Sequence, residues 1–137
     1  MGMIEINNLT KYVVDRKKFS TVAKKVLKGE NKETETLSLA FVSKDEIQGL
    51  NKKYRKKNRP TDVLSFALKD GKNLGEIVIC PDVVKENAEK YGVLAKDEMM
   101  KVFVHGILHL LDYDHEKSEK EAEEMEKKQE FYLSKVK

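Results

Sequence analysis

The run His105-Gly106-Ile107-Leu108-His109-Leu110-Leu111-Asp112-Tyr113-Asp114-His115 holds every histidine of this 137-residue chain, three in all. The first two stand four residues apart and the third follows six later. On an α-helix, residues four apart share a face, with Cβ atoms roughly 5–6 Å from each other. Two imidazoles so placed reach one metal ion at about 2.0–2.1 Å each. His115 cannot join that face if the helix runs on, so the chain has to leave the helix and turn back. Three neutral ligands leave one position for water, which is the arrangement of a catalytic rather than a structural metal site. The plain alternative is a set of core histidines satisfied by carbonyls. The whole histidine complement falling at this spacing favours the metal.

The residues leading into that run, Met99-Met100-Lys101-Val102-Phe103-Val104, are apolar on nearly every face. From about Asp97 they predict a buried helix through the centre of the domain, a stiff platform for two ligands. The helix should break at Asp112, a residue type that tolerates the left-handed conformation at helix ends. Tyr113 and Asp114 then bring the chain around to His115.

Further out, Ile4 to Asn7 reads as a first strand, and Thr36 to Val42 as a second. Phe19, Val22, Ala23, Val26 and Leu27 form a helical stripe that Gly29 can close. Ser43-Lys-Asp-Glu46 is a capping box opening a helix with Ile47, Leu50 and Tyr54 inward. Val63 to Leu68 and Leu74 to Cys80 are two strands joined through Lys69-Asp-Gly-Lys-Asn73, a hairpin. Pro81 starts a helix that Gly92 ends. Glu116 to about Ser134 is a last helix, amphipathic through Ala122, Met125, Tyr132 and Leu133. No internal repeat or linker interrupts residues 1–137, so one domain is expected. Its class is α+β, a small mixed sheet of four strands packed with about five helices, with the metal site on a central buried helix.

Between Lys52 and Arg59, six of eight residues are Lys or Arg. Lys52, Lys53, Arg55, Lys56, Lys57 and Arg59 together attract phosphate, and the Arg55 fork can bind it in a bidentate way. A solvated helix end is the alternative, since cations are favoured there in any case.

The histidine run resembles the H-G-x-L-H-L-x-x-Y-D-H signature of the YbeY family, metal-dependent endoribonucleases of bacterial ribosomal RNA maturation. Two further blocks agree and come in the family's order: Leu50-Asn51-Lys-Lys-Tyr54-Arg55 through Pro60-Thr61-Asp62-Val63-Leu64-Ser65-Phe66, and Leu74-Gly75-Glu76-Ile77. The likeness covers about Ile4 to Phe131. It implies one divalent ion, zinc first, on His105, His109 and His115, with Arg55 in the active-site cleft. It also implies single-stranded ribosomal RNA as substrate, a role in ribosome maturation and quality control, and the ribosomal subunit or its proteins as partners. Three positions depart from the family: Asp112 stands for glycine, Ala67 for proline and Glu76 for aspartate.

Other features fit an enzyme of the cytoplasm. Cys80 is the one cysteine, which excludes an internal disulfide framework and suits a reducing compartment. Met1 to Asn7 shows no basic-then-apolar signal pattern, and Ile6 occupies the Ser/Thr position of a myristoylation start. No apolar run approaches the roughly 20 residues of a membrane span, so no membrane partner is expected. A net charge of +3 is too small to identify a nucleic-acid partner by itself.

A general base is not obvious, because Gly106 stands where H-E-x-x-H metalloproteases carry glutamate. Asp112, Asp114, Glu76 and Asp62 are candidates. Asp114 fits equally well as a group orienting a histidine through its second nitrogen. Ser65 reads as structural, with phosphate contact as a second role. RNA also brings its own nucleophile, the ribose 2′-hydroxyl. Three other readings stay open. One is a metzincin-like peptide hydrolase, which shares the spacing of four and six. Another is a structural zinc site completed by Cys80. The third is a non-catalytic RNA- or ribosome-binding factor whose metal stabilises the fold.

Overall fold

The computed structural model describes residues 4–113 and 118–135, the Lys69 side chain apart. Its elements run β1 (Ile4–Asn8), α1 (Arg16–Gly29), β2 (Thr36–Phe41), α2 (Lys44–Arg55), β3 (Val63–Asp70), β4 (Asn73–Ile79), α3 (Pro81–Tyr91), α4 (Ala95–Leu110) and α5 (Glu119–Ser134). The strands form one sheet in the order β1-β2-β4-β3. β1 and β4 flank β2 in parallel, and β3 closes the sheet antiparallel to β4. The class is α+β with a mixed four-stranded sheet, as the sequence predicts.

β4 is covered on both faces, so its residues are buried almost without alternation from Leu74 to Ile79, Glu76 excepted. Leu37, Leu39, Phe41, Ile77 and Ile79 join α1 and α4 in the larger core. Val42, Leu64, Val78 and Cys80 join Ile47 of α2 in a smaller one on the other side. α4 is the central helix, touching β3, β4, α1, α3 and α5. It buries Val102, Phe103, Val104, Ile107, Leu108 and Leu110, each worth roughly 1.5–3 kcal/mol over exposure.

Three helix starts are fixed by side chains. Asp15 accepts from the Lys18 amide at 3.1 Å, Ser43 from Glu46 at 3.2 Å and Ser118 from Glu121 at 3.1 Å. The Ser118–Glu121 pair repeats the Ser-x-x-Glu pattern that marks α2, and it sets the first described turn of α5 at Glu119. Residues 116 and 117, where the sequence starts that helix, lie outside the described residues.

Several expectations need correction. α4 starts at Ala95, two residues before Asp97. The β3–β4 turn tightens to Gly71-Lys72, with Gly71 at φ 61°, so both strands run further than expected. The left-handed turn that ends α1 falls at Asn31, φ 60°, rather than at Gly29. The Asn31 amide donates to the Lys28 carbonyl at 3.1 Å and that of Lys32 to Leu27 at 2.7 Å. Gly29 is the last helical residue. It is small because a Cβ there would collide with the Tyr132 ring. Tyr54 is 56% exposed rather than inward, its ring edge-on to Phe66 at 5.2 Å. Asn51 is the polar residue buried on α2 instead.

Candidate active site

His105 and His109 stand one turn apart near the C-terminal end of α4, their rings edge-to-face with centroids 4.7 Å apart. Both are half-buried. Gly106 between them turns to the sheet. A Cβ there would come within 3.1 Å of Ile77 Cγ2 and 3.2 Å of Ser65 Oγ. Ser65 Oγ in turn donates to the Gly106 carbonyl at 3.4 Å. The helix therefore lies close on β3 and β4 at this point, and a side chain at position 106 would crowd Ile77 and Ser65. With glycine at 106, the peptide-hydrolase reading lacks the glutamate its motif requires.

A cavity of about 450 Å³ opens in front of the two imidazoles, lined also by Arg55, Thr61, Asp62 and Ser65. Arg55 reaches it from the last position of α2. That helix stops because Lys56 is left-handed at φ 58°, its amide donating to the Lys52 carbonyl at 3.1 Å. Asn51 Nδ2 then donates to the Arg59 carbonyl at 2.9 Å, holding the basic segment against α2. The predicted cationic cluster thus divides. All six are exposed, but Arg55 lines the cavity and Lys52, Lys53, Lys56, Lys57 and Arg59 do not.

The candidate bases divide as well. Asp62 lines the cavity and accepts from Thr61 Oγ1 at 3.3 Å. Glu76 does not. Its neighbours Gly75 and Ile77 approach Leu110 and Gly106 of α4, so strand alternation sends Glu76 to the opposite face of the sheet. Asp112 is left-handed at φ 74°, as the sequence predicts, and borders a separate cavity of about 250 Å³ with Glu30, Tyr113, Glu121 and Glu124. Cys80 is fully buried in the small core beyond the sheet, where burial pushes its thiol pKa up. It is not part of the histidine cavity, which removes the structural-zinc alternative built on it. Asp114 and His115 lie outside the described residues.

Among the described residues, no three His, Cys, Asp or Glu side chains gather as a metal site. His105 and His109 supply two borderline donors to one cavity, which suits zinc and its neighbours.

Two contacts were beyond the sequence reading. Gln129 of α5 places its side-chain oxygen 2.9 Å from His105 Nδ1. Its only signal in the sequence is an uncharged amide in a helix otherwise rich in Lys and Glu. Glu30, just past α1, accepts from Tyr113 at 2.6 Å, from Lys128 at 3.3 Å and from Tyr132. Burial works against the Glu30 carboxylate, yet its three donors hold its pKa below the ordinary value. The same burial and the same carboxylate push Tyr113 up to about 12.

Comparison with known proteins places the chain in a family. A protein from Thermotoga maritima named endoribonuclease YbeY is 44% identical over 100 residues, 73% of this chain and 67% of that protein. One of the same name from Bdellovibrio bacteriovorus is 48% identical over 102 residues, 74% of this chain and 67% of its own length. One from a Sulfurovum species is 39% identical over 133 residues, 91% of this chain and 86% of its length. The solution structure of a Thermotoga maritima protein superimposes with a TM-score of 0.74 at 37% identity, covering 98% of this chain and 89% of that one. The family model described as endoribonuclease YbeY matches residues 5–137, and the chain belongs to that family.

Proposed function

We propose that this chain is a metal-dependent endoribonuclease that cuts single-stranded ribosomal RNA during its maturation. A single divalent ion, zinc first, would be held by His105, His109 and His115. The observation that carries this reading is the one cavity faced by Arg55, His105 and His109. Family membership and the names of the relatives support the reaction class.

When bound, such an ion lowers the pKa of water toward about 7 and draws charge from a phosphoryl oxygen. The chain's own residues supply the rest. The Arg55 guanidinium binds the scissile phosphate by its two-pronged edge and offsets the charge that grows there. Asp62 is the carboxylate lining the cavity among the described residues, and it accepts the proton of the attacking hydroxyl. Ser65 holds α4 against the sheet through the Gly106 carbonyl. Lys52, Lys53, Lys56, Lys57 and Arg59 present an exposed cationic segment to phosphates either side of the cut. Asp114 would orient a histidine. Ribosomal subunits or their proteins would bring the substrate, in the cytoplasm. No helix among the described residues is long and apolar enough to cross a membrane.

The exposed lysines also suit a non-catalytic RNA-binding factor. An end-labelled RNA with a stem and single-stranded tails separates the two. Cutting in the tails that a chelator stops and added zinc restores supports the nuclease. RNA binding with no cutting, though metal is bound, supports the binding factor.

A further inference from the structure

Gln129 approaches His105 from α5, its side-chain oxygen 2.9 Å from Nδ1. An amide oxygen has lone pairs and no proton, so Nδ1 is the donor of this bond. A neutral imidazole protonated on Nδ1 carries its lone pair on Nε2. We propose that Gln129 is a positioning residue for the metal centre: it selects the Nδ1–H tautomer of His105, fixes the ring, and so makes Nε2 the metal donor. The inference rests on reading His105 as a metal ligand.

The position of Gln129 is itself fixed. Met125 and Tyr132, four residues before and three after, are 1% and 3% exposed and share its face of α5. Tyr132 is further tied to Glu30 through its hydroxyl. The amide is thus delivered by a helix anchored on both sides of it. Its neutrality also matters. A carboxylate in its place would accept the same proton but lower the net charge of the centre, where an anionic phosphate has to bind. The amide orients the ring without that loss.

The test uses the full-length protein and the variants Gln129→Leu and Gln129→Glu. Proton–nitrogen correlation spectra of the metal-free protein report the His105 tautomer, assigned with His109→Ala and His115→Ala. Zinc affinity is read by competition with a chromogenic chelator. Wild type should show the Nδ1–H tautomer. Gln129→Leu should give a tautomer mixture and bind zinc about 10–100-fold more weakly. Gln129→Glu should restore both, which a purely structural role of the side chain would not require. If Gln129→Leu does not fold, Gln129→Met of similar length takes its place. An Nε2–H tautomer in wild type, or unchanged tautomer and affinity in the leucine variant, overturns the inference and leaves the metal reading standing. A wild type that binds no zinc overturns both.

Discussion

Tyr113 donates its hydroxyl to Glu30 at 2.6 Å, across 83 residues of sequence. The bond ties the turn after α4, which leads toward His115, to the end of α1. Tyr132 and Lys128 of α5 converge on the same carboxylate. One glutamate thereby joins the end of α1, the turn after α4 and α5.

This junction predicts an acid-sensitive stability. The Glu30 pKa is depressed in the folded protein, so its contribution is present above the unfolded carboxylate value and lost as pH falls through the folded one. Glu30→Gln should cost about 1–3 kcal/mol at neutral pH and flatten the acid limb of a melting-temperature profile below about pH 5. A variant whose acid limb matches wild type would contradict this role.

Tyr113 gives the opposite sign. Its pKa is raised to about 12, so its contribution is full below the ordinary tyrosine value and lost as pH rises toward 12. Tyr113→Phe should lower stability by about 1 kcal/mol at neutral pH and lose less than wild type between about pH 10 and 12. Chemical denaturation across that range provides the measurement.

Gly75 should tolerate no side chain. Its φ is 147°, and a Cβ there would run into the Phe66 carbonyl oxygen and crowd Leu110. Gly75→Ala combines backbone strain with overlap against a strand that cannot move away, so a loss of about 3 kcal/mol or more is expected. Urea unfolding would show it, and a near-neutral result would mean that β3 is free to shift.

Most of this architecture was legible in the sequence. The four strands, the buried helix and the left-handed Asp112 follow from apolar period and residue chemistry, which are local. Glu76 was misassigned because its charge and motif were weighed above strand alternation, although Gly75 and Ile77 on either side already set its face. Helical period puts Tyr54 inward, yet its ring lies edge-on to Phe66 and stays 56% exposed, and Asn51 takes the buried position. Gln129 and Glu30 were out of reach. Their roles depend on how α5 lies against α1 and α4, and no spacing within one helix encodes that.

Arg55 should matter for the phosphate rather than for the fold. It stands at the end of α2 and faces the histidine cavity. Arg55→Ala should slow RNA cleavage about a hundredfold or more and reduce the salt slope of single-strand binding by about 0.7. Arg55→Lys should restore the slope but not the rate, since an ammonium lacks the fork. An unchanged slope in the alanine variant would remove Arg55 from the phosphate.

The most direct test of the account is the single-turnover rate of RNA cleavage by wild type beside His109→Ala, purified identically and supplied with equal zinc. On the proposed three-histidine site, loss of one ligand should remove about 4 kcal/mol or more of transition-state stabilisation, a thousandfold in rate. The account predicts a fall of that size with RNA affinity retained. Equal cleavage by the two proteins would contradict it, since the cutting would then owe nothing to the histidines of α4.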